Sequence, residues 1–284
     1  MKPVIGLVMK SLNAEFFQEM KKGAELFAEN EKKFQLITVG TASQTEIEQQ
    51  IELVDNLIKD GADAIVLVPI DSKALVPVTV KALKSGVKVI NIDIKLDEEL
   101  LRESDAELTF VGPDNKTASK KAGDVLAAKI GKGAKVILIE GLPAAENAQQ
   151  RKAGFMESIS ESGLQLLASE PADWETDKAE QVFSSLYEKY PGVQGVLCSN
   201  DAMALGVLKV LKKHHKSGII PVIGFDNDAS VRPFLQTGEM PATIDAFGSQ
   251  MAVEGIKYAL KVLGGMENKG SFSTDFRLIT KEQL

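Results

Sequence analysis

Apolar runs of strand length alternate with stretches of helical periodicity along nearly the whole chain, and this alternation restricts the fold more than any other feature. The run "VIGLVM" precedes a helical stretch around Phe16; "FQLITVG" precedes one carrying Ile47, Ile51, Val54, Leu57 and Ile58. "AIVLVP" leads into "PVTVKALKSG", and "KVINID" follows. Parallel strands need long crossover connections and are buried on both faces, so continuous apolar runs separated by helices mark a parallel sheet with helices on each side.

After the charged connector "KLDEELLRESDAE" the pattern starts again with "LTFVGPDN". It continues through a helix with Ala118, Ala122, Val125 and Leu126, then "KVILIEG", a helix from Arg151 to Ile159, and "LQLLASEP". A helix at Ala179–Tyr187, "GVLCSN", a helix at Met203–Leu211, "IPVIGFD", a short helix at Val231–Leu235 and "ATIDAF" complete the series. The expected fold is α/β: two similar lobes, each a doubly wound, Rossmann-like parallel sheet. A length of 284 residues suits two domains, and no short repeat indicates a solenoid. The tail adds one helix (Met251, Ile256, Leu260, Leu263) and a last strand, "FRLIT". These are too few for a third domain and complete the two lobes, so the chain crosses between them more than once, giving a multi-strand hinge.

Composition narrows the function classes. No uninterrupted apolar span is long enough to cross a bilayer. A net charge of −7 argues against a broad nucleic-acid footprint, and the most basic run, "LKKHHK", falls at a helix C-terminus where cations suit the dipole. The single cysteine, Cys198, excludes an internal disulfide and a multi-cysteine zinc site. His214 and His215 are adjacent and cannot share a helix face, and "DNDAS" lacks the sixth-position glycine of a calcium loop; no metal and no cofactor is expected. No dinucleotide fingerprint, phosphate loop or nucleophile elbow is present. The opening "MKPVIGLVM" reads as a strand and not as a secretory leader, which suits either a cytoplasmic chain or a mature exported one with an added methionine.

Ligands of open parallel sheets bind beyond the carboxyl ends of the strands. The polar residues there are Lys10 and Ser11, Asp71, Asp93 and Lys95, Asn200 and Asp201, and Asp226 and Asn227, with Asp245 in "ATIDAF". Carboxylates and amides form several directed hydrogen bonds at once and so suit adjacent hydroxyls, while aromatic faces cover the C–H surface of a sugar. Phe16, Phe17 and Trp174 are the aromatic candidates. Asp71 and Asp201 are expected to cap turns or helices. In the first helix Asn13 is the expected N-cap, and Phe16, Met20, Ala24 and Phe27 the expected buried face.

Seven motifs in order resemble those of the periplasmic sugar-binding proteins of the ribose and galactose type, the solute-binding components of ABC transporters with the type I periplasmic binding protein fold. They are "LNAEFF", "VPIDSKAL", "VINID", "VGPDN", "QQRKAGF", "SNDAMALG" and "VIGFDN". The resemblance covers essentially the whole chain. It implies lobes at 1–113 with 247–274 and at 114–246 with 275–284, closing like a hinge on one monosaccharide or polyol. It makes Phe16 and Phe17 a sandwiching aromatic pair, Trp174 the aromatic facing them, Asp93, Asn200 and Asp226 polar ligand contacts, and Lys10 a residue of the pocket rim.

The departures bear on the choice of sugar. Ribose binders carry arginine where this chain has Ile94 and Gln149, asparagine at Ala14, and a hinge glutamine at Ala246. Two forked cationic donors are therefore missing, so a different small sugar or a polyol is expected, such as one with an amino group, with Gln149 among the contacts. Lys10, Lys95, Asn147 and Asp245 are placed to compensate. The resemblance further implies a permease partner, a monomeric state, no nucleic acid, no catalysis, and a location in the periplasm or, by lipid anchor, at the outer face of the plasma membrane. The alternatives are the effector core of a LacI-type repressor lacking its DNA-binding domain, and a sugar-modifying enzyme.

Overall fold

The computed structural model describes residues 2–284. In chain order its elements are β1 (Val4–Met9), α1 (Glu15–Glu31), β2 (Gln35–Gly40), α2 (Ile47–Lys59), β3 (Ala64–Leu67), α3 (Val76–Lys84), β4 (Lys88–Ile92), α4 (Glu98–Glu103) and β5 (Thr109–Pro113). Next come α5 (Asn115–Ile130), β6 (Lys135–Glu140), α6 (Glu146–Ser162), β7 (Gln165–Pro171), α7 (Thr176–Lys189), β8 (Gly195–Cys198), α8 (Asp201–Lys213), β9 (Val222–Ile223), α9 (Arg232–Thr237) and β10 (Thr243–Asp245). The chain ends with α10 (Gly248–Leu263), β11 (Gly270–Thr274) and β12 (Arg277–Ile279).

These elements form two compact units. One holds the chain up to Pro113, Ala144–Glu146 and Phe247–Thr274; the other holds Asp114–Pro143, Asn147–Ala246 and Asp275–Leu284. Residues 144–146, assigned to the second lobe on sequence grounds, thus belong to the first unit. Ser72 fixes them, its N–H donating to Ala144 O (3.1 Å) and its hydroxyl accepting from Glu146 N–H (2.9 Å).

The first unit is a six-stranded parallel sheet in the order β11-β5-β4-β3-β1-β2. Its central strand β3, "AIVL", is buried at every residue because helices cover both faces. On one face Val54 and Leu57 of α2, Val76 and Val80 of α3 and Leu101 of α4 pack with Val8, Ile65, Leu67 and Val89. On the other, α10 lies so close to the sheet that a methyl group at Gly255 would press on Val66 and Ile92. Each fully buried aliphatic side chain here contributes roughly 1.5–3 kcal/mol.

Three expectations are corrected, and one strand without an apolar pattern is added. The charged connector contains α4, because Asp97 accepts from Leu100 N–H (2.9 Å) and caps it. "LTFVGP" does not open a second sheet but adds β5 to the first. The polar run "GSFST" is a strand, β11, at the edge of that sheet beside β5. In α1 the N-cap is Ala14, with no side-chain cap bond, since the Asn13 amide instead donates to Ala42 O (3.0 Å). Phe17, Met20 and Ala24 form the buried face, Phe17 lying three residues before Met20, and Phe16 is half-buried against Gly248.

The second unit has a four-stranded parallel sheet in the order β7-β6-β8-β9. The final run "FRLIT" supplies β12, which pairs antiparallel with β10 in a separate two-stranded sheet. Among the described residues no helix is long and apolar enough to cross a membrane, and no group of three His, Cys, Asp or Glu is placed to hold a metal ion.

Candidate functional site

A doubly wound sheet leaves a crevice where its strand order reverses. In the first unit that point lies between β1 and β3, which are direct neighbours; in the second it lies between β6 and β8. The sequence candidates fall on the strand ends of these two sheets, and each unit presents its own cluster.

In the first unit two buried amides that sequence reasoning overlooked shape the strand ends. Gln50 of α2 donates to Met9 O (3.2 Å) and Val68 O (2.8 Å) and accepts from Ile70 N–H (2.7 Å), so it ties the exits of β1 and β3 together. Asn91 donates to Ile94 O (2.7 Å) and accepts from Leu96 N–H (2.8 Å), which folds the turn after β4. Within that turn Asp93 has a left-handed backbone (φ 65°), and its N–H donates to Val111 O (3.0 Å), extending the β4–β5 ladder by one residue. A non-glycine residue held in this region commonly marks a constrained site.

Lys10, directly after β1, is buried and holds its ammonium 5.5 Å from the centre of the Phe17 ring. Phe16 meets Phe17 edge to face, with centroids 5.1 Å apart. The pair therefore divides its labour: Phe17 is core and carries Lys10, while Phe16 keeps exposed surface. Asp71 accepts from the N–H groups of Lys73 and Ala74 (2.7 and 2.8 Å), the turn-capping role expected of it. Ile94 is fully buried, and Lys95 pairs with Glu98 (2.5 Å) beside the Phe110 ring.

The second unit centres on a residue absent from the candidates, Arg151. It lies on the buried face of α6 with Asn147, Ala148, Gly154, Phe155, Ser158 and Ile159. Its Nε donates to Asn115 Oδ1 (2.8 Å) and its Nη1 to Ser199 O (2.7 Å), at the exit of β8. The same nitrogen is 3.5 Å from Asp226 Oδ1, and the guanidinium lies 3.5 Å from the centre of the Phe225 ring and 5.4 Å from that of Trp174. A guanidinium is always charged, so burial is tolerable only with such a set of acceptors and aromatic faces.

Trp174 is buried, and its six-membered ring sits directly over the Gly141 backbone at the exit of β6; any side chain at Gly141 would overlap the ring. Asn200 caps α8 by accepting from Met203 N–H (2.9 Å) and donates to Trp174 O (3.4 Å). Trp174, Asn200 and Asp226 are thus brought together around Arg151, whereas Gln149 is exposed and donates to Pro143 O (2.7 Å). Asp245 accepts from the Asn227 amide (3.0 Å).

Asp201 is corrected. It is not a cap, because Asn200 already fills that position; instead it is fully buried and accepts from Thr243 Oγ1 and Asp228 N–H. Burial, reinforced by the negative charge of Asp226, pushes its carboxyl well above the ordinary range, and burial likewise raises the Cys198 thiol. The arginine signal was legible in "QQRKAGF", where Arg151, Phe155 and Ile159 share helical spacing.

The model of the periplasmic binding protein domain matches residues 5–267. The chain belongs to this family. It is similar to the D-ribose/D-allose-binding protein of Pseudomonas aeruginosa, with 38% identity covering 98% of this chain and 89% of that protein. It is 31% identical to the ribose import binding protein of Escherichia coli, over 99% of this chain and 92% of the other. Among solved structures it resembles an ABC transporter solute-binding protein from Burkholderia multivorans with an unknown ligand built as α-D-erythrofuranose (TM-score 0.96, 39% identity, 99% of this chain and 100% of that one). A solute-binding protein from Actinobacillus succinogenes with bound D-allose gives a TM-score of 0.92 at 32% identity, over 99% of both chains. As in this family, the two lobes are α/β with parallel sheets.

Proposed function

We propose that this chain is the sugar-capturing component of a bacterial ABC importer, binding one small monosaccharide or sugar alcohol outside the cytoplasm and presenting it to a permease. The observation that carries the reading is the buried cluster at the β6/β8 switch point, where Arg151, Asp226, Asn200 and Trp174 combine charged donor, acceptor, amide and aromatic face. That chemistry matches vicinal hydroxyls on a ring with one apolar face, and the relatives named for ribose and allose support it. The reading is of binding without turnover, by a monomer, in the periplasm or held at the outer face of the membrane. It is favoured over a repressor core because those relatives are binding and import proteins.

On this reading Phe16, Phe17, Lys10 and Asp93 contribute from the first unit, and Trp174, Asn200, Asp226 and Arg151 from the second, while Gln149, exposed and bonded to Pro143 O, stands outside the cluster. Asn147 joins them: it is buried and its Oδ1 has no hydrogen-bond partner among the described residues, so it is an acceptor reserved for a ligand hydroxyl.

A thermal-shift screen over pentoses, hexoses, amino sugars and sugar alcohols tests the reading. A sugar at about 100 times its Kd adds roughly 2.7 kcal/mol to stability, so a small group of hits is expected. A screen in which no carbohydrate raises the melting temperature, or in which a hit is consumed, defeats the proposal.

A further inference from the structure

The loop that presents Asp226 is strained. Asp226 and Asn227 both have positive φ, at 119° and 58°. Residues without a glycine's freedom hold such angles only where neighbours enforce them. Asp226 N–H donates to Ile244 O (2.7 Å) on β10, and Asp201 braces the loop on either side of that bond. Its N–H donates to Phe225 O (2.7 Å), just before Asp226. Its carboxylate accepts from Asp228 N–H (3.0 Å), just after Asn227. A third tie runs to β10, where Thr243 Oγ1 lies 2.8 and 3.0 Å from the two carboxylate oxygens and also accepts from Asn227 N–H (3.4 Å). The carboxylate abuts Gly224, where any side chain would collide with it.

We propose that Asp201, without touching the sugar, is the positioning residue that holds Asp226 at its binding angle, and that sugar affinity depends on this clamp. The inference rests on the ligand role given above to Asp226. The groups facing Asp201 are few: Cys198 at the end of β8, Asp226 and Asp228 in the loop, and Thr243 on β10, with Arg151 compensating Asp226 from α6. Asn200, its neighbour, acts differently because it caps α8 and contacts the Trp174 backbone.

Because burial disfavours a charge at Asp201, asparagine is a close neutral replacement: its oxygen accepts from Asp228 N–H and its amide donates to Thr243 Oγ1. The test is titration of a sugar that binds the wild type against Asp201→Asn, Asp201→Ala, Asp226→Ala and the double alanine variant, each checked for cooperative melting. Asp201→Asn is expected within about threefold of wild-type affinity, and Asp201→Ala at least tenfold weaker. In the Asp226→Ala background, Asp201→Ala is expected to add less than threefold, since it acts through the side chain already removed. If Asp201→Ala melts early, Thr243→Val replaces it: it takes one donor from the clamp, and a severalfold loss confined to the Asp226 background is expected. Wild-type affinity in a folded Asp201→Ala or Thr243→Val protein, or losses that simply add to that of Asp226→Ala, overturns the clamp. A wild type that binds no sugar defeats the function proposal instead.

Discussion

The two clusters of candidate residues sit at equivalent places in two sheets of similar design, yet they are built from different materials. In the first unit the braces are neutral, since Gln50 and Asn91 bond only to backbone, and they stand beside half-buried Phe16, buried Lys10 and buried Asp93 on a left-handed turn. In the second the support is ionic, with buried Arg151 bridging Asn115, Ser199 and Asp226, and buried Asp201 behind the loop. Neutral amide braces lose a hydrogen bond or two when cut, whereas a buried ion leaves an uncompensated charge. The second cluster is therefore the more brittle half.

The largest expected effect breaks that half. Arg151→Ala removes the guanidinium 3.5 Å from the carboxylate of Asp226 and opens the space beside Phe225, so it should destabilise the second unit by about 3–5 kcal/mol. Denaturant unfolding measures it. The counterpart in the first unit, Gln50→Ala, should cost less, about 1–3 kcal/mol, because only neutral groups are stranded. Equal losses would erase the distinction between an ionic and an amide support.

Binding gives the next comparison. Asp93→Ala removes a carboxylate whose strained turn is fixed by Asn91, and calorimetry with a sugar that binds should register a loss of at least ~2 kcal/mol. Melting should change little, since the turn itself is held by backbone and amide bonds. An unchanged affinity removes Asp93 from the ligand contacts and leaves the first unit with the phenylalanines and Lys10.

Much of this organisation was legible in the chain. The strands read correctly because buried parallel strands are apolar throughout, as in "AIVL" and "KVILIE". What hid was what chemistry masks. The run "GSFST" has no apolar pattern because β11 is an exposed edge strand, and α4 lies in a connector whose charges face water. The two phenylalanines are ambiguous in the sequence because Phe16 and Phe17 stand four and three residues before Met20, and both spacings fit one helix face. Arg151 was overlooked because an arginine on a helix is ordinarily solvated. Asp201 was misjudged because Asn200 and Asp201 are both good caps and only one position exists. Fold follows from patterns shared by many residues, while the site depends on single residues whose environment is not local.

The smallest effect compares two caps, one in each unit, that perform the same task on helices of different length. Asp97 accepts from Leu100 N–H at the start of six-residue α4, and Asp114 accepts from Thr117 N–H (2.9 Å) and its hydroxyl (2.7 Å) at the start of sixteen-residue α5. Partial burial raises the Asp114 carboxyl, but the bonds from Thr117 and the Lys116 charge outweigh it and leave the carboxyl below its ordinary value of 3.8. A depressed carboxylate stabilises the fold above its unfolded pKa and loses that contribution as pH falls through the folded one. Asp114→Ala should therefore cost about 1 kcal/mol near neutral pH, and the gap from wild type should close as the pH falls below about 4. Asp97→Ala should cost less, because α4 exposes most of its residues and only Leu101 is buried, so its loosening gives up little packing. Melting curves from pH 7 to pH 3 decide it: a gap for Asp114→Ala that widens on acidification reverses the sign and takes the charge out of the cap.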